Sequence, residues 1–236
     1  MKTERLDLSA PHQEYKDKGK TLLGVTSLIN RYISIPALVN WAHKLGKEGK
    51  DLEKHGGRKR RIGSIFHFLS QGFLEGFKCD LSLCDKDEVK AAMEMLDTFK
   101  KWWWKSGLDR VHTEIQLASA KLGYGGTIDC IARDKDGSLV LVDFKTSSSL
   151  KPQYELQGYA YKTLYEACHP FDDDIGTIKI LRVGYEQDVE ERTLGDLTPH
   201  REAWNAILRL HDAYTKIEDG GKGYRKWPVK RRKRKA

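Results

Sequence analysis

At 236 residues, with 39% hydrophobic and 10% aromatic content, the chain is long enough for one substantial α/β domain with a sizeable core, and it holds no apolar run long enough to cross a bilayer. The net charge of +8 is concentrated at one end: Lys222 to Lys235 carries nine Lys or Arg and no acid, and removing those nine from +8 leaves the rest at −1. Four cysteines, at 79, 84, 130 and 168, form no C-x-x-C pair, which argues against a zinc site or an iron–sulfur cluster and for reduced thiols in a cytosolic-type compartment.

The opening MKTERLDLSAPHQEYKDKGK has no secretory apolar core, and Glu4 and Asp7 argue against a mitochondrial presequence. Residues 21–29, TLLGVTSLI, are a short apolar run. IPALVNWAHKLG (35–46) predicts a helix, with Pro36 in its first turn and Gly46 as its stop. Residues 47–61 are charged and glycine-rich and read as a loop, ending in the basic cluster Arg58-Lys59-Arg60-Arg61. IGSIFHFLSQGF follows as a helix with Ile62, Phe66, Leu69 and Phe73 on its apolar stripe, while Gly63, His67 and Ser70 share a polar face. KDEVKAAMEMLDTFKKWWWK (86–105) is a strong amphipathic helix. Its Trp102-Trp103-Trp104 cannot all face one side and suit a helix end wedged between layers.

From residue 110 the period changes. RVHTEIQLAS, GTIDCIARD and SLVLVDFKT read as three strands, with a hairpin at Asp134-Lys135-Asp136-Gly137. Pro152 opens the helix QYELQGYAYKTLYEAC, whose Tyr154, Gln157, Tyr161 and Leu164 form a packing-type stripe, and Asp172-Asp173-Asp174 reads as a solvated loop. TIKILRVG is a fourth strand and 187–194 a fifth. PHREAWNAILRLHDAYTKI closes the chain as a helix, packing through Trp204, Ile207, His211 and Tyr214 and stopped by Gly220-Gly221. The order of elements is that of one α/β domain with a helical N-terminal part.

The strand LVLVDFK ends on two opposite charges, Asp143 and Lys145, which alternation places on one face. The hairpin centres near residue 136, so Asp129 and Asp143 stand nearly opposite across the ladder, with Cβ atoms about 4.5–5.5 Å apart. Two carboxylates held that close repel each other, and a divalent cation relieves the repulsion. Carboxylates, the Phe144 carbonyl and waters are oxygen donors suited to Mg2+ or Mn2+. Lys145 would then hold or activate a water and balance phosphate charge, the arrangement for metal-assisted phosphodiester hydrolysis. An ordinary strand-end ion pair is the competing reading. Gly125-Gly126 before Asp129, allowing close backbone approach, the i, i+4 pair Gln157 and Tyr161, and the i, i+4 pair Gly63 and His67 favour a site.

Together these residues resemble the PD-(D/E)xK nuclease superfamily, and most closely its RecB-like branch of phage-type exonucleases and the mitochondrial genome maintenance exonuclease. The resemblance rests on "GGTIDCIAR…LVLVDFKTS", the Q-x-x-x-Y of "QGYAY", the G-x-x-x-H of "GSIFH" and the lead-in "LLGVTSLINRYISIPALVNWA", across roughly residues 20 to 185. Position 143 is Asp where Glu is commoner. The resemblance implies a restriction-endonuclease-like core, a central mixed sheet flanked by helices, with a helical N-terminal part. It implies Asp129 and Asp143 as metal ligands, Lys145 as the catalytic lysine and His67 as a ligand or water-orienting group. Gln157 and Tyr161 would line the site and place the DNA strand, and Glu114 would take an outer acidic role.

The expected organisation is a lead-in with a basic loop (1–61), a nuclease core (62–221) and a basic tail (222–236). Arg58, Lys59, Arg60 and Arg61, with Lys230, Arg231 and Arg232 of the tail, would attract DNA phosphates without reading sequence; the tail also has the letters of a nuclear import signal. The expected function is a Mg2+- or Mn2+-dependent exonuclease on single-stranded or processed DNA ends, in the cytoplasm of a bacterial or phage-infected cell, with a recombination or replication protein as partner and no membrane association. A structure-specific or restriction-type endonuclease on the same fold and a non-catalytic nucleic-acid-binding protein are the alternatives.

Overall fold

The computed structural model describes residues 2–9, 14–33, 36–185 and 188–220, with the side chains of 36–38, 41, 52–55 and 219–220 outside that description. The basic tail, including Lys230, Arg231 and Arg232, lies outside the described residues. In chain order the elements are β1 (Thr3–Arg5), β2 (Tyr15–Asp17), β3 (Lys20–Gly24), α1 (Val25–Tyr32), α2 (Pro36–Lys47), α3 (Leu52–Glu75), β4 (Lys78–Asp80), α4 (Lys86–Ser106), β5 (Asp109–Ser119), β6 (Tyr124–Arg133), β7 (Leu139–Lys145), α5 (Pro152–Cys168), β8 (Ile175–Val183), β9 (Val189–Thr193) and α6 (Thr198–Gly220). No helix among the described residues is long and apolar enough to cross a membrane.

Seven strands form one mixed sheet in the order β2-β3-β6-β7-β8-β9, with β5 also paired to β6. The β3–β6 and β7–β8 pairs are parallel; the β2–β3, β5–β6, β6–β7 and β8–β9 pairs are antiparallel. β1 and β4 form a separate parallel pair. Tyr15, Leu22 and Leu23 thus bring the lead-in into the main sheet, a role its short apolar run does not announce.

Helices cover both faces. Ile131, Leu139, Leu141, Ile178 and Ile180 pack with residues of α1, α5 and α6 such as Leu28, Leu164 and Trp204. Cys130, Val140, Val142, Phe144, Leu181 and Val183 pack with Ile65, Phe66, Met95 and Phe99 of α3 and α4. β7 is buried on both faces, which is why it reads as a continuous apolar run rather than an alternating one. α4 starts where the Asp85 side chain accepts from the Asp87 and Glu88 N–H groups, and stops at Gly107 in the left-handed region (φ 66°).

Residues 52–61 are helical, not the loop their composition predicts: α3 continues unbroken through Gly56-Gly57, the basic cluster and Ile62 to Glu75. Each glycine costs a helix about 1 kcal/mol relative to alanine. That cost is offset by the helix-forming Leu, Glu, Lys and Arg around the pair, and by Arg61, which clamps α3 to α4 through Glu88. The tryptophan triplet splits three ways: Trp103 is buried, Trp102 donates its indole N–H to Glu191, and Trp104 is 72% exposed. In α6, Trp204 and Ile207 are buried and His211 meets the Tyr32 hydroxyl at 3.0 Å. Tyr214, expected to pack, stays 50% exposed among the last turns of that helix.

Candidate active site

The site lies where the sheet opens. Cys130↔Val142 begins the paired stretch of β6 and β7, which runs to Arg133↔Leu139 and the turn. The next positions are Asp129 and Asp143, opposite each other in that register. Here the Asp129 side chain takes over from the ladder, its Oδ2 accepting the Phe144 N–H at 2.6 Å. This fixes one carboxylate oxygen and leaves Oδ1 facing His67 Nδ1 at 3.4 Å. Phe144, expected to contribute its carbonyl, also meets the site through its N–H, while its ring packs against Phe66, Phe99 and His67.

His67 is delivered by α3. A Cβ on Gly63, one turn earlier, would stand 2.9 Å from Thr146 Oγ1, so a glycine there lets the helix approach the end of β7. His67 Nδ1 also meets Glu114 Oε1 at 3.3 Å. Glu114 sits on β5 with φ 46°, a left-handed conformation costly for a non-glycine residue and a form of strain that gathers at functional sites. His67, Glu114 and Asp129 each offer a ligand atom within 4.8 Å of the others, a group sized for a metal ion.

Asp143 stands outside that group. Its carboxylate is completely buried; Oδ2 is paired with Lys145 Nζ at 2.5 Å, and Oδ1 has no donor among the described residues. Lys145 also lies over the Tyr154 ring, 5.2 Å from its centroid. The α5 stripe faces the same place: Gln157 donates to the Tyr161 hydroxyl at 2.8 Å and to Thr26 Oγ1 of α1 at 3.3 Å. The glycine pair serves these rings. A Cβ on Gly126 would stand 2.5 Å from Tyr161 Cε1, and Gly125 is closed by Tyr15.

The charges act on one another. Burial pushes the Asp143 carboxyl up to about 6; the Asp129 charge adds to the rise and Lys145 opposes it. Burial would also raise Asp129, but the His67 charge and hydrogen bond, with Lys145, hold it below the usual range. Burial disfavours a charged His67, yet Asp129 and Glu114 outweigh it and bring that imidazole to about 10. Lys145, likewise opposed by burial, is held as an ammonium by Asp143 and Asp129. Burial, then the nearby Asp143 and Asp129 charges, push the Tyr161 hydroxyl up.

Asp129, Asp143, Lys145, His67, Glu114, Phe144, Gln157 and Tyr161 thus form one neighbourhood. Of the basic cluster, Arg61 is committed to Glu88, while Arg58, Lys59 and Arg60 lie on exposed positions of α3. Thr26, Thr146 and the role of Tyr154 are not legible in the sequence. Thr26 and Gln157 are 131 positions apart, and no spacing links them.

No protein-family model matches the sequence, and no curated protein matches it. Among solved structures the chain is similar to a candidate exonuclease from Eubacterium rectale, at 15% identity and a TM-score of 0.45, over 72% of this chain and 73% of that one. It is also similar to LHK-Exo, solved in complex with dAMP, at 13% identity and a TM-score of 0.33, over 69% and 91% of the two chains. Both likenesses are too distant to assign a family, and the residues of the site carry the functional reading.

Proposed function

We propose that this chain is a divalent-metal-dependent nuclease of the RecB-like PD-(D/E)xK type, hydrolysing DNA phosphodiester bonds as an exonuclease on single-stranded or processed ends. The observation that carries the proposal is Asp143, a fully buried carboxylate whose one charged partner at contact distance among the described residues is the Lys145 ammonium, 2.5 Å from Oδ2, across the ladder from a second buried acid. Two buried carboxylates this close repel each other, and one ammonium offsets only part of their charge, so a divalent ion would compensate the rest. The donor set fits such an ion: three carboxylates and one imidazole suit Mn2+ and, through the oxygens, Mg2+. Asp129, Asp143, Glu114 and His67 would hold it, and Phe144 would add its carbonyl. When bound, the ion supplies Lewis-acid polarisation of a phosphoryl oxygen and acidifies water.

The protein's own groups do the rest. The Phe144 N–H fixes Asp129, so its free oxygen keeps one direction. The Lys145 ammonium holds the attacking water or neutralises charge on the phosphate being cleaved. His67, fixed by Asp129 and Glu114, orients its imidazole toward the same place. Gln157 and Tyr161 line the side where the strand lies, and Arg58, Lys59 and Arg60, with the tail, draw in phosphates. The test is labelled DNA with Mg2+ or Mn2+. Cleavage by the wild type, lost in Asp143→Ala and Lys145→Ala while DNA binding persists, is the expected result; equal cleavage by all three proteins would refute the reading. Linear but not closed circular DNA should be degraded, and cleavage of closed circles would point to an endonuclease.

A further inference from the structure

Lys145 has two neighbours of different kinds. One is the Asp143 carboxylate at 2.5 Å, and the other is the face of Tyr154, whose centroid lies 5.2 Å from the ammonium. Tyr154 sits on α5 one turn before Gln157 and two before Tyr161, so the helix that lines the site also carries this ring. It is half-buried against the core, which limits its own movement. A cation recruited to the acids competes with Lys145 for Asp143 and repels the ammonium. Lys145 is a flexible four-carbon stem and needs a second attraction to stay in place. An aromatic face supplies one that no divalent cation displaces, because it offers no carboxylate to bind.

We infer that Tyr154 is a positioning residue: its ring retains the Lys145 ammonium at the site when a divalent cation engages Asp143. This rests on the nuclease reading for the divalent cation and for its functional consequence, while the Lys145–Tyr154 contact itself does not. A packing-only Tyr154 would be indifferent to loss of its π face if the apolar volume were kept.

The experiment uses the full chain. Protons above an aromatic face resonate upfield, so the Lys145 Hε signals, identified by their loss in Lys145→Arg, report the contact directly. They should lie upfield in wild type and Tyr154→Phe, with and without Mg2+. They should return to ordinary lysine positions in Tyr154→Leu, with Tyr154→Met as a second non-aromatic variant should the first fail to fold. In DNA cleavage, Tyr154→Phe should stay within about two-fold of wild type. Tyr154→Leu should lose about ten-fold in kcat, within the range of a desolvated cation–π contact, with KM little changed. Unmoved Lys145 signals in the non-aromatic variants, signals that leave the upfield position when Mg2+ is added to wild type, or wild-type kcat in Tyr154→Leu would each overturn the inference while leaving the nuclease reading intact. If the wild type cleaves no DNA, the nuclease reading fails, and the resonance positions alone decide the role of Tyr154.

Discussion

Two buried carboxylates, both paired with cations, have opposite surroundings. Glu88, 3% exposed at the start of α4, accepts from the Arg61 guanidinium through both oxygens, at 2.6 to 3.0 Å. Asp143, 0% exposed at the end of β7, has the Lys145 ammonium 2.5 Å from Oδ2 and, among the described residues, no donor on Oδ1. The first pair is satisfied and clamps two helices. The second relies on one ammonium and leaves Oδ1 without a donor among the described residues. Similar burial and similar charge thus accompany two different surroundings, a carboxylate bound through both oxygens at Glu88 and one paired through a single oxygen at Asp143, and the proposed function assigns the second to the site.

Substitution sharpens that contrast first at Asp143. Asp143→Asn should abolish DNA cleavage, by about 1,000-fold or more, yet change the stability of the metal-free protein less than Glu88→Ala does, because the burial cost of the Asp143 charge offsets the loss of its Lys145 pair. A urea unfolding curve beside the cleavage assay checks both; clear destabilisation would place Asp143 in the same class as Glu88. Glu88→Ala should do the reverse, lowering the melting temperature by roughly 5 °C because Arg61 loses its partner. Cleavage measured well below that temperature should be little affected.

A metal titration at two pH values probes the site's charge balance. His67 is brought to about 10, so it is protonated at neutral pH in the metal-free protein. Its ion-pair stabilisation is complete below its unfolded value, about 6.5, and fades as pH rises toward 10. A ligating imidazole must lose that proton, so Mn2+ should bind more tightly at pH 8 than at pH 6, with proton release visible by calorimetry in buffers of different ionisation enthalpy. Equal affinity with no proton release would remove His67 from the ligand set. The smallest effect belongs to Gly63→Ala, which should cost about ten-fold in cleavage by pushing α3, and His67 with it, away from Thr146. Thr146→Ala, by removing the hydroxyl in the way, should restore most of the loss in the double variant; additive losses would show that the contact does not set the helix position.

The register of the acids is legible in the sequence. The Asp134–Gly137 turn centres the hairpin, and strand alternation then places Asp129 against Asp143 and Lys145 beside Asp143. β5 to β8, α4 and α5 are readable because each has a strong local period. The helical start of α3 is not, because Gly56-Gly57 and a charge run look like a loop when the Glu88 partner on α4 is out of view. The glycine pair 125–126 is legible as a close approach, but not as a seat for Tyr15 and Tyr161.

By itself the sequence determined the hairpin, the pairing of two acids across it, the strand-end lysine and the helical phase of His67, Gln157 and Tyr161, since all of these depend on turn chemistry and on periods of 2.0 and 3.6 residues. Only the tertiary structure decided that Glu114 and His67 join Asp129, that Lys145 lies between Asp143 and Tyr154, and that Thr26 reaches Gln157. Those contacts join residues of separate elements, and the packing of α1, α3 and α5 against the sheet sets their distances, which no local period encodes.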